Sequence, residues 1–156
     1  LCFLRASATA ESYTLSLHDA LPLLGDQLVG EILERTDEVL YSGDVVYAGR
    51  VPYIGDADTR EWLKALDRVL ALPAKVMVPG HGPVSHDPVR DATLTRDYLT
   101  FLRAQMGQAA RDFVPFDEAY AKVDWGKFAA EPTFGVANRN NAYNVYLQME
   151  QEMLGQ

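Results

Sequence analysis

Two apolar runs in the middle of the chain each lead into glycine and then into one side chain that suits a metal ion. Val39-Leu40-Tyr41 is followed by Gly43-Asp44, and Val76-Met77-Val78 is followed by Pro79-Gly80-His81-Gly82. Short aliphatic runs of this kind predict buried strands. A strand that stops at a glycine turn places the next side chain at the edge of the sheet, where the sites of α/β folds collect. The pattern therefore predicts two strand ends, one carrying Asp44 and the other His81.

The positions between and after these runs predict helices. Helical spacing predicts a helix from Asp58 or Thr59 to about Ala71, with a buried stripe formed by Trp62, Leu63, Leu66, Val69 and Leu70. Asp87-Pro88 is a capping residue followed by a first-turn proline, and it predicts a long helix that reaches about Ala110. The apolar face of that helix comprises Tyr98, Leu99, Leu102 and Met106.

Weaker patterns predict the remaining elements. Upstream, residues 27–33 and 38–41 predict two strands joined by a polar turn, and Val45-Val46-Tyr47 predicts a short continuation. Downstream, Pro115–Phe128 predicts a short helix with Tyr120 and Trp125 packed inward, and residues 131–138 predict a loop. Residues 139–154 predict a last helix with Tyr143, Tyr146 and Leu147 on one side. This order indicates an α/β fold with short strands and a helical tail.

The composition excludes several classes of protein. The 156 residues are 48% hydrophobic and 23% charged, which is typical of a globular domain. The net charge is −8 and the basic residues form no run, so neither nucleic acid nor an anionic membrane is expected as a partner. The single cysteine, Cys2, excludes an internal disulfide and a cysteine-rich zinc module. No apolar stretch is long enough for a transmembrane helix.

Aspartate and histidine are both common zinc ligands in hydrolases, so Asp44 and His81 are candidate metal ligands. Zinc held by imidazole and carboxylate lowers the pKa of a bound water to about 7, and a carboxylate can bridge two metal ions. A catalytic zinc needs about three protein ligands, so these two residues are half of a site. Each also has a structural alternative, the carboxylate as a turn cap and the histidine as a buried hydrogen-bonding group. Asp56 and Asp58 are assigned to capping the helix that follows them.

The run from Val39 to Gly82 resembles the C-terminal half of the metallo-β-lactamase-fold hydrolases. The resemblance rests on GDVVYAGRVPYIGDAD followed by WLKALDRVLALPAKVMVPGHGP, and it extends over roughly residues 25–154. It implies that Asp44 is the bridging carboxylate, that His81 binds the second metal, and that the cofactor is one or two zinc ions. It also places the loop with Arg50 and Tyr53 at the rim of the active site, as candidates for substrate contact. The most similar branch is the one found with quinoprotein or sulfur-oxidation systems.

Two features of that family are missing, and the N-terminus looks foreign. The motif His-x-His-x-Asp-His does not occur in the sequence, and no histidine stands at Leu23–Asp26, where the family has a further ligand. The string SYTLSLHDALP resembles translated sequencing-adapter DNA, with a native strand and turn as the alternative. We therefore expect a foreign-looking, disordered leader over residues 1–22. We expect residues 23–154 to be the C-terminal half of a metallo-β-lactamase-like domain, truncated from a larger parent.

The sequence as a whole predicts half of a four-layer αββα metallo-β-lactamase sandwich with a helical C-terminal tail. The expected function of the parent is zinc-dependent hydrolysis of an ester, thioester or lactam in a small-molecule substrate. This chain by itself is expected to bind zinc weakly and to be inactive or nearly so. The alternative is a non-catalytic α/β interaction module in which Asp44 and His81 are structural. An uncovered sheet face predicts self-association, and an exported, periplasmic location is compatible with the resemblance.

Overall fold

Two strands and four helices follow one another over residues 39–155, which are the residues that the computed structural model describes. The strands are β1 (Val39–Tyr47) and β2 (Val76–His81). The helices are α1 (Thr59–Leu70), α2 (Pro88–Arg111), α3 (Phe116–Lys122) and α4 (Phe134–Leu154). The predicted α/β class with a helical tail is confirmed. The predicted strand over residues 27–33, the polar turn after it and the leader over residues 1–22 lie outside the described residues.

β1 and β2 form a two-stranded parallel sheet, with α1 as the connection between them. Val39 lies opposite Val76 at one end, and Tyr47 lies opposite His81 at the other. The register shifts on both sides of Gly43, which has a left-handed φ of 49°. Glycine adopts this conformation without the clash that a Cβ would cause, so β1 can bend at Gly43 and resume its pairing afterwards.

This irregularity corrects the predicted strand ends. β1 continues through Gly43 and Asp44 to Tyr47, and β2 includes His81. Asp44 therefore projects from inside a strand and not from a turn after it. The predicted continuation over residues 45–47 is part of the same strand, and the carboxylate faces solvent while Val45 and Val46 on its C-terminal side are buried.

α1 begins at its predicted cap and packs on the sheet. Asp58 Oδ1 accepts hydrogen bonds from the backbone N–H groups of Arg60 at 2.8 Å and Glu61 at 3.2 Å. These bonds satisfy two of the donors that are free at the start of a helix. Trp62 is buried, and its Nε1–H donates to the Val45 carbonyl oxygen of β1 at 2.8 Å. The cap and the buried stripe together fix α1 over β1.

α2 joins the sheet to the helical tail. Asp87 caps it, Pro88 occupies its first turn, and the four residues of its predicted apolar face are fully buried. They pack against α1, α3, α4 and β1 in one core. Tyr120 and Trp125 pack inward as predicted, with ring centroids 4.9 Å apart. No helix within residues 39–155 combines the length and the apolar character that crossing a membrane requires.

α4 begins earlier than predicted, at Phe134 and not at Arg139. Thr133 before it is of a residue type that often caps helices, but it has a left-handed φ of 68° and makes no side-chain capping bond. The Thr133 hydroxyl donates instead to the Val51 carbonyl oxygen at 2.6 Å. Tertiary hydrogen bonding thus takes the place of a local cap.

The buried face of α4 also differs from the prediction. Tyr146 is buried, but Tyr143 and Leu147 are 44% and 36% exposed. The buried face instead includes Asn138 and Asn141, which are 1% and 0% exposed. Their amides are hydrogen-bonded, and a buried polar group is stable only under that condition. Apolar periodicity cannot reveal a face whose central residues are polar.

Candidate metal centre

Asp44 and His81 lie side by side although 37 positions separate them in the sequence. His81 Nε2 is 3.6 Å from Asp44 Oδ1, and the two side chains are 54% and 52% exposed. The parallel pairing of β1 with β2 produces this contact, since Tyr47 lies opposite His81 and the Ala48 N–H donates to the His81 carbonyl oxygen at 3.0 Å. Both side chains are therefore positioned by backbone pairing and remain accessible to solvent.

The glycines on either side of His81 allow β2 to approach β1 this closely. A Cβ at position 80 would overlap the Asp44 carboxylate and would lie 2.9 Å from the Gly43 carbonyl carbon. Gly82 has a left-handed φ of 101°, and a Cβ there would overlap the Ala48 carbonyl oxygen. Since only glycine lacks that atom, both glycines are part of the site.

Tyr47 supports His81 from β1. The two rings are stacked, with centroids 4.9 Å apart and planes inclined by 17°. Tyr47 is only 8% exposed, and its backbone N–H donates to Thr95 Oγ1 of α2 at 3.3 Å. Burial, and to a lesser extent the Asp44 carboxylate, raises the pKa of Tyr47 to about 12, so the phenol is neutral at physiological pH. Tyr47 thus gives the His81 ring a fixed, uncharged surface.

The sequence pattern places Tyr47 in a strand and predicts no part for it in the site. The signal that could have found it is the register of the parallel pair, which sets Tyr47 opposite His81. The bulge at Gly43 hides this signal, because counting residues from Asp44 assumes an unbroken strand.

Arg50 and Tyr53, the predicted substrate contacts, lie in the loop between β1 and α1. Tyr53 is 58% exposed. Arg50 is half-buried, and its Nε is shielded from solvent without a hydrogen-bond partner in the described part of the chain. The hydrogen bonds and ion pairs of residues 39–155 link neither side chain to Asp44 or His81. Their contact with substrate stays a prediction.

A cleft of about 480 Å³ lies at the start of α1, and neither Asp44 nor His81 lines it. It is lined by Asp56, Asp58, Arg60, Gln148, Gln151, Glu152 and Gly155. Asp58 caps α1 as predicted, but Asp56 does not contribute to the cap and lies in the wall of the cleft. The cleft contains none of the four residues predicted for the site.

Comparison with protein families matches residues 15–81 to the metallo-beta-lactamase superfamily. The matched range contains Asp44 and ends at His81, so it includes both strands and both candidate ligands. This part of the chain is similar to the metallo-beta-lactamase superfamily. The predicted family is thereby confirmed, and a two-stranded sheet with four helices is consistent with part of the metallo-beta-lactamase fold. A search of curated proteins found no match.

The match begins at residue 15, inside the segment 1–22. The foreign origin of that segment stays a prediction, as does the domain boundary at residue 23.

The separation of Asp44 and His81 is compatible with two corners of a zinc site. Ligand atoms 2.0–2.2 Å from a tetrahedral zinc are roughly 3.3–3.6 Å from one another. The separation of Asp44 Oδ1 and His81 Nε2, 3.6 Å, lies at the upper end of that range. Within residues 39–155, no group of three or more His, Cys, Asp or Glu residues is placed to hold a metal ion. The described residues thus offer two candidate ligands, Asp44 and His81.

Proposed function

We propose that this chain is part of a zinc-dependent hydrolase in which Asp44 and His81 are metal ligands. The convergence of Asp44 Oδ1 and His81 Nε2, 3.6 Å apart within the segment that matches the metallo-beta-lactamase superfamily, carries this proposal. Gly80 supports it, because the absence of a side chain there leaves room for the Asp44 carboxylate beside His81.

The chemistry of the two side chains suggests their roles. Asp44 has two carboxylate oxygens and suits a bridging position between two ions, while His81 suits a terminal position through Nε2. Zinc bound there would activate water for attack on the carbonyl carbon of an ester, thioester or lactam. Tyr47 keeps the His81 ring oriented by stacking against it, which favours a preformed ligand geometry.

The loop after β1 would contribute the contacts to substrate. Arg50 Nε is shielded from solvent, so Arg50 would bind an oxygen of the substrate through the terminal nitrogens of its guanidinium group. Tyr53 is exposed and presents a ring and a hydroxyl to solvent. Both residues follow β1 directly, which keeps them near the strand that carries Asp44.

Zinc titration of the full chain by calorimetry tests the proposal. The wild type should bind zinc, Asp44→Ala and His81→Ala should each weaken binding by at least about ten-fold, and the double variant should abolish it. Asp56→Ala/His86→Ala is the matched control, because it removes one exposed aspartate and one exposed histidine outside the pair. The control should keep its affinity within about two-fold. A folded wild type without zinc binding, or an equal loss in the control, would contradict the proposal.

Hydrolysis assays distinguish the enzyme from the interaction module. In the larger parent protein, turnover of a chromogenic ester, thioester or lactam probe that stops on chelation and is absent from Asp44→Ala supports the hydrolase. The module alternative predicts that Asp44→Ala and His81→Ala alter thermal stability without any change in zinc uptake. A wild type that takes up no zinc while these variants shift the melting temperature would favour the module.

A further inference from the structure

The loop that carries Tyr53 is bound along its length by the C-terminal part of the chain. At its start, the Val51 N–H donates to the Pro132 carbonyl oxygen at 3.0 Å, and the Thr133 hydroxyl donates to the Val51 carbonyl oxygen. Farther along, three side chains of α4 form hydrogen bonds with the backbone of the loop. The loop therefore follows a path that is set by residues about 90 positions away in the sequence.

Asn141, Asn144 and Gln148 form a polar stripe on α4, because residues three and four positions apart share one face of a helix. Asn141 Nδ2 donates to the Pro52 carbonyl oxygen at 2.7 Å, and its Oδ1 accepts from the Ile54 N–H at 2.9 Å. Asn144 Nδ2 donates to the Gly55 carbonyl oxygen at 2.8 Å. The stripe thus binds the backbone on both sides of Tyr53.

Gln148 extends the stripe to the start of α1. Its Nε2 donates to the Ala57 carbonyl oxygen at 2.7 Å, and its Oε1 accepts from the Thr59 hydroxyl at 2.7 Å. Arg103 of α2 donates to the same Thr59 oxygen at 2.8 Å and forms a bidentate ion pair with Glu152 of α4. α1, α2 and α4 are thereby joined at the end of the loop.

The stripe itself is held from the core side. Asn141 Nδ2 also donates to the Tyr98 hydroxyl at 3.0 Å, and that hydroxyl donates to Asn138 Oδ1 at 2.9 Å. Tyr98 and both asparagines are buried, so rotation of the Asn141 amide would break hydrogen bonds that water cannot replace. The amide that binds the loop is therefore fixed in one orientation.

We propose that Asn141, Asn144 and Gln148 are positioning residues that hold the loop of residues 51–58 so that Tyr53 projects in a fixed direction. The inference rests on the proposed function in one respect: the direction of Tyr53 matters for substrate binding only if the site hydrolyses a substrate. The hydrogen-bonded path itself does not depend on metal. The C-terminal helix would accordingly determine substrate specificity without touching the substrate.

Hydrogen exchange of the full-length chain tests this with Asn144→Asp and Gln148→Glu, each of which replaces an amide donor by an oxygen. Asn140→Asp is the matched control, because it makes the same chemical change on the exposed side of the same helix. Exchange across residues 53–58 should accelerate by about ten-fold in the two stripe variants and stay unchanged in the control. Asn141→Asp should have the largest effect, but it places a charge at a buried position, so the two peripheral variants decide the outcome.

A pH series separates positioning from a general loss of stability. In Asn144→Asp the introduced carboxyl can donate to the Gly55 carbonyl oxygen again once it is protonated, so the protection factor of the loop should recover as the pH falls from about 6 to about 3, through the ordinary aspartate pKa of about 3.9. Zinc affinity should equal that of the wild type, because Asp44 and His81 lie outside the loop. Unchanged exchange in both stripe variants, or acceleration spread evenly over all helices, would overturn the inference. Absence of zinc binding in the wild type would contradict the proposed function alone.

Discussion

Asp44 places its carboxylate where a side chain on Gly80 would begin. A Cβ at position 80 would also lie 3.0 Å from Asp44 Cγ, so the close pairing of these two residues depends on a missing atom. This close approach explains why the residue before His81 is a glycine. It also makes the position of Asp44 sensitive to one added methyl group.

Gly80→Ala should displace the Asp44 carboxylate and weaken zinc binding roughly 10- to 100-fold, the range seen when the groups around metal ligands are altered. Zinc competition against a chromophoric chelator measures this. Gly135→Ala is the control, because a Cβ at position 135 meets no atom within 4 Å. Equal zinc affinities for Gly80→Ala and the wild type would show that the carboxylate has no part in metal binding.

Replacement of the Tyr47 ring should loosen His81. In Tyr47→Leu the stacked surface is lost, so we expect a change in the chemical shifts of the His81 ring protons and a zinc affinity lower by about ten-fold. Tyr47→Phe keeps the ring and should bind zinc as the wild type does. Proton NMR and zinc competition provide the two readouts. If Tyr47→Phe lost as much affinity as Tyr47→Leu, the hydroxyl and not the stacking would be responsible.

Stability at alkaline pH should depend on Tyr98. Burial, opposed in part by the hydrogen bond from Asn141 and reinforced by Tyr120, raises the pKa of Tyr98 above its ordinary value of 10.0. The folded state therefore holds the proton more tightly than the unfolded state. This contribution to stability is complete below pH 10 and is lost as the pH rises above 10 towards the folded pKa.

Tyr98→Phe should be less stable by about 1–3 kcal/mol at pH 7, because Asn138 Oδ1 loses its buried donor. Its free energy of unfolding should fall less steeply than that of the wild type above pH 10. Urea unfolding between pH 8 and pH 11 measures both effects, with Tyr53→Phe as an exposed control. Parallel curves for Tyr98→Phe and the wild type would contradict the assigned pKa direction.

Much of the fold could be predicted from local signals in the sequence. Asp58 and Asp87 mark the starts of α1 and α2 because a capping side chain lies next to the donors it satisfies. The contact between Asp44 and His81 could also be anticipated, since strands joined by a single helix tend to pair in parallel and place their C-terminal ends together. The proposed roles of these two residues as metal ligands come from the family resemblance.

The remaining features depend on distant contacts and were missed. β1 continues past Gly43 because it pairs with β2 again at Tyr47, opposite His81. The hydrophobic pattern of β1 alone cannot predict this renewed pairing. α4 follows Thr133, whose hydroxyl donates to the Val51 carbonyl oxygen, and its buried face is built on Asn138 and Asn141. Each of these polar groups is explained by a partner far away in the sequence.

Nitrogen-15 NMR of the histidine rings during zinc addition tests the central claim most directly. The chain has three histidines, and within the described residues only His81 has its ring nitrogen within 4 Å of an aspartate side-chain oxygen. In the wild type, zinc should shift the His81 Nε2 resonance and leave the His86 resonances unchanged. In Asp44→Asn, the same shift of His81 should require a zinc concentration about ten-fold higher. An unchanged His81 resonance at saturating zinc, or the same titration curve in Asp44→Asn, would contradict the account.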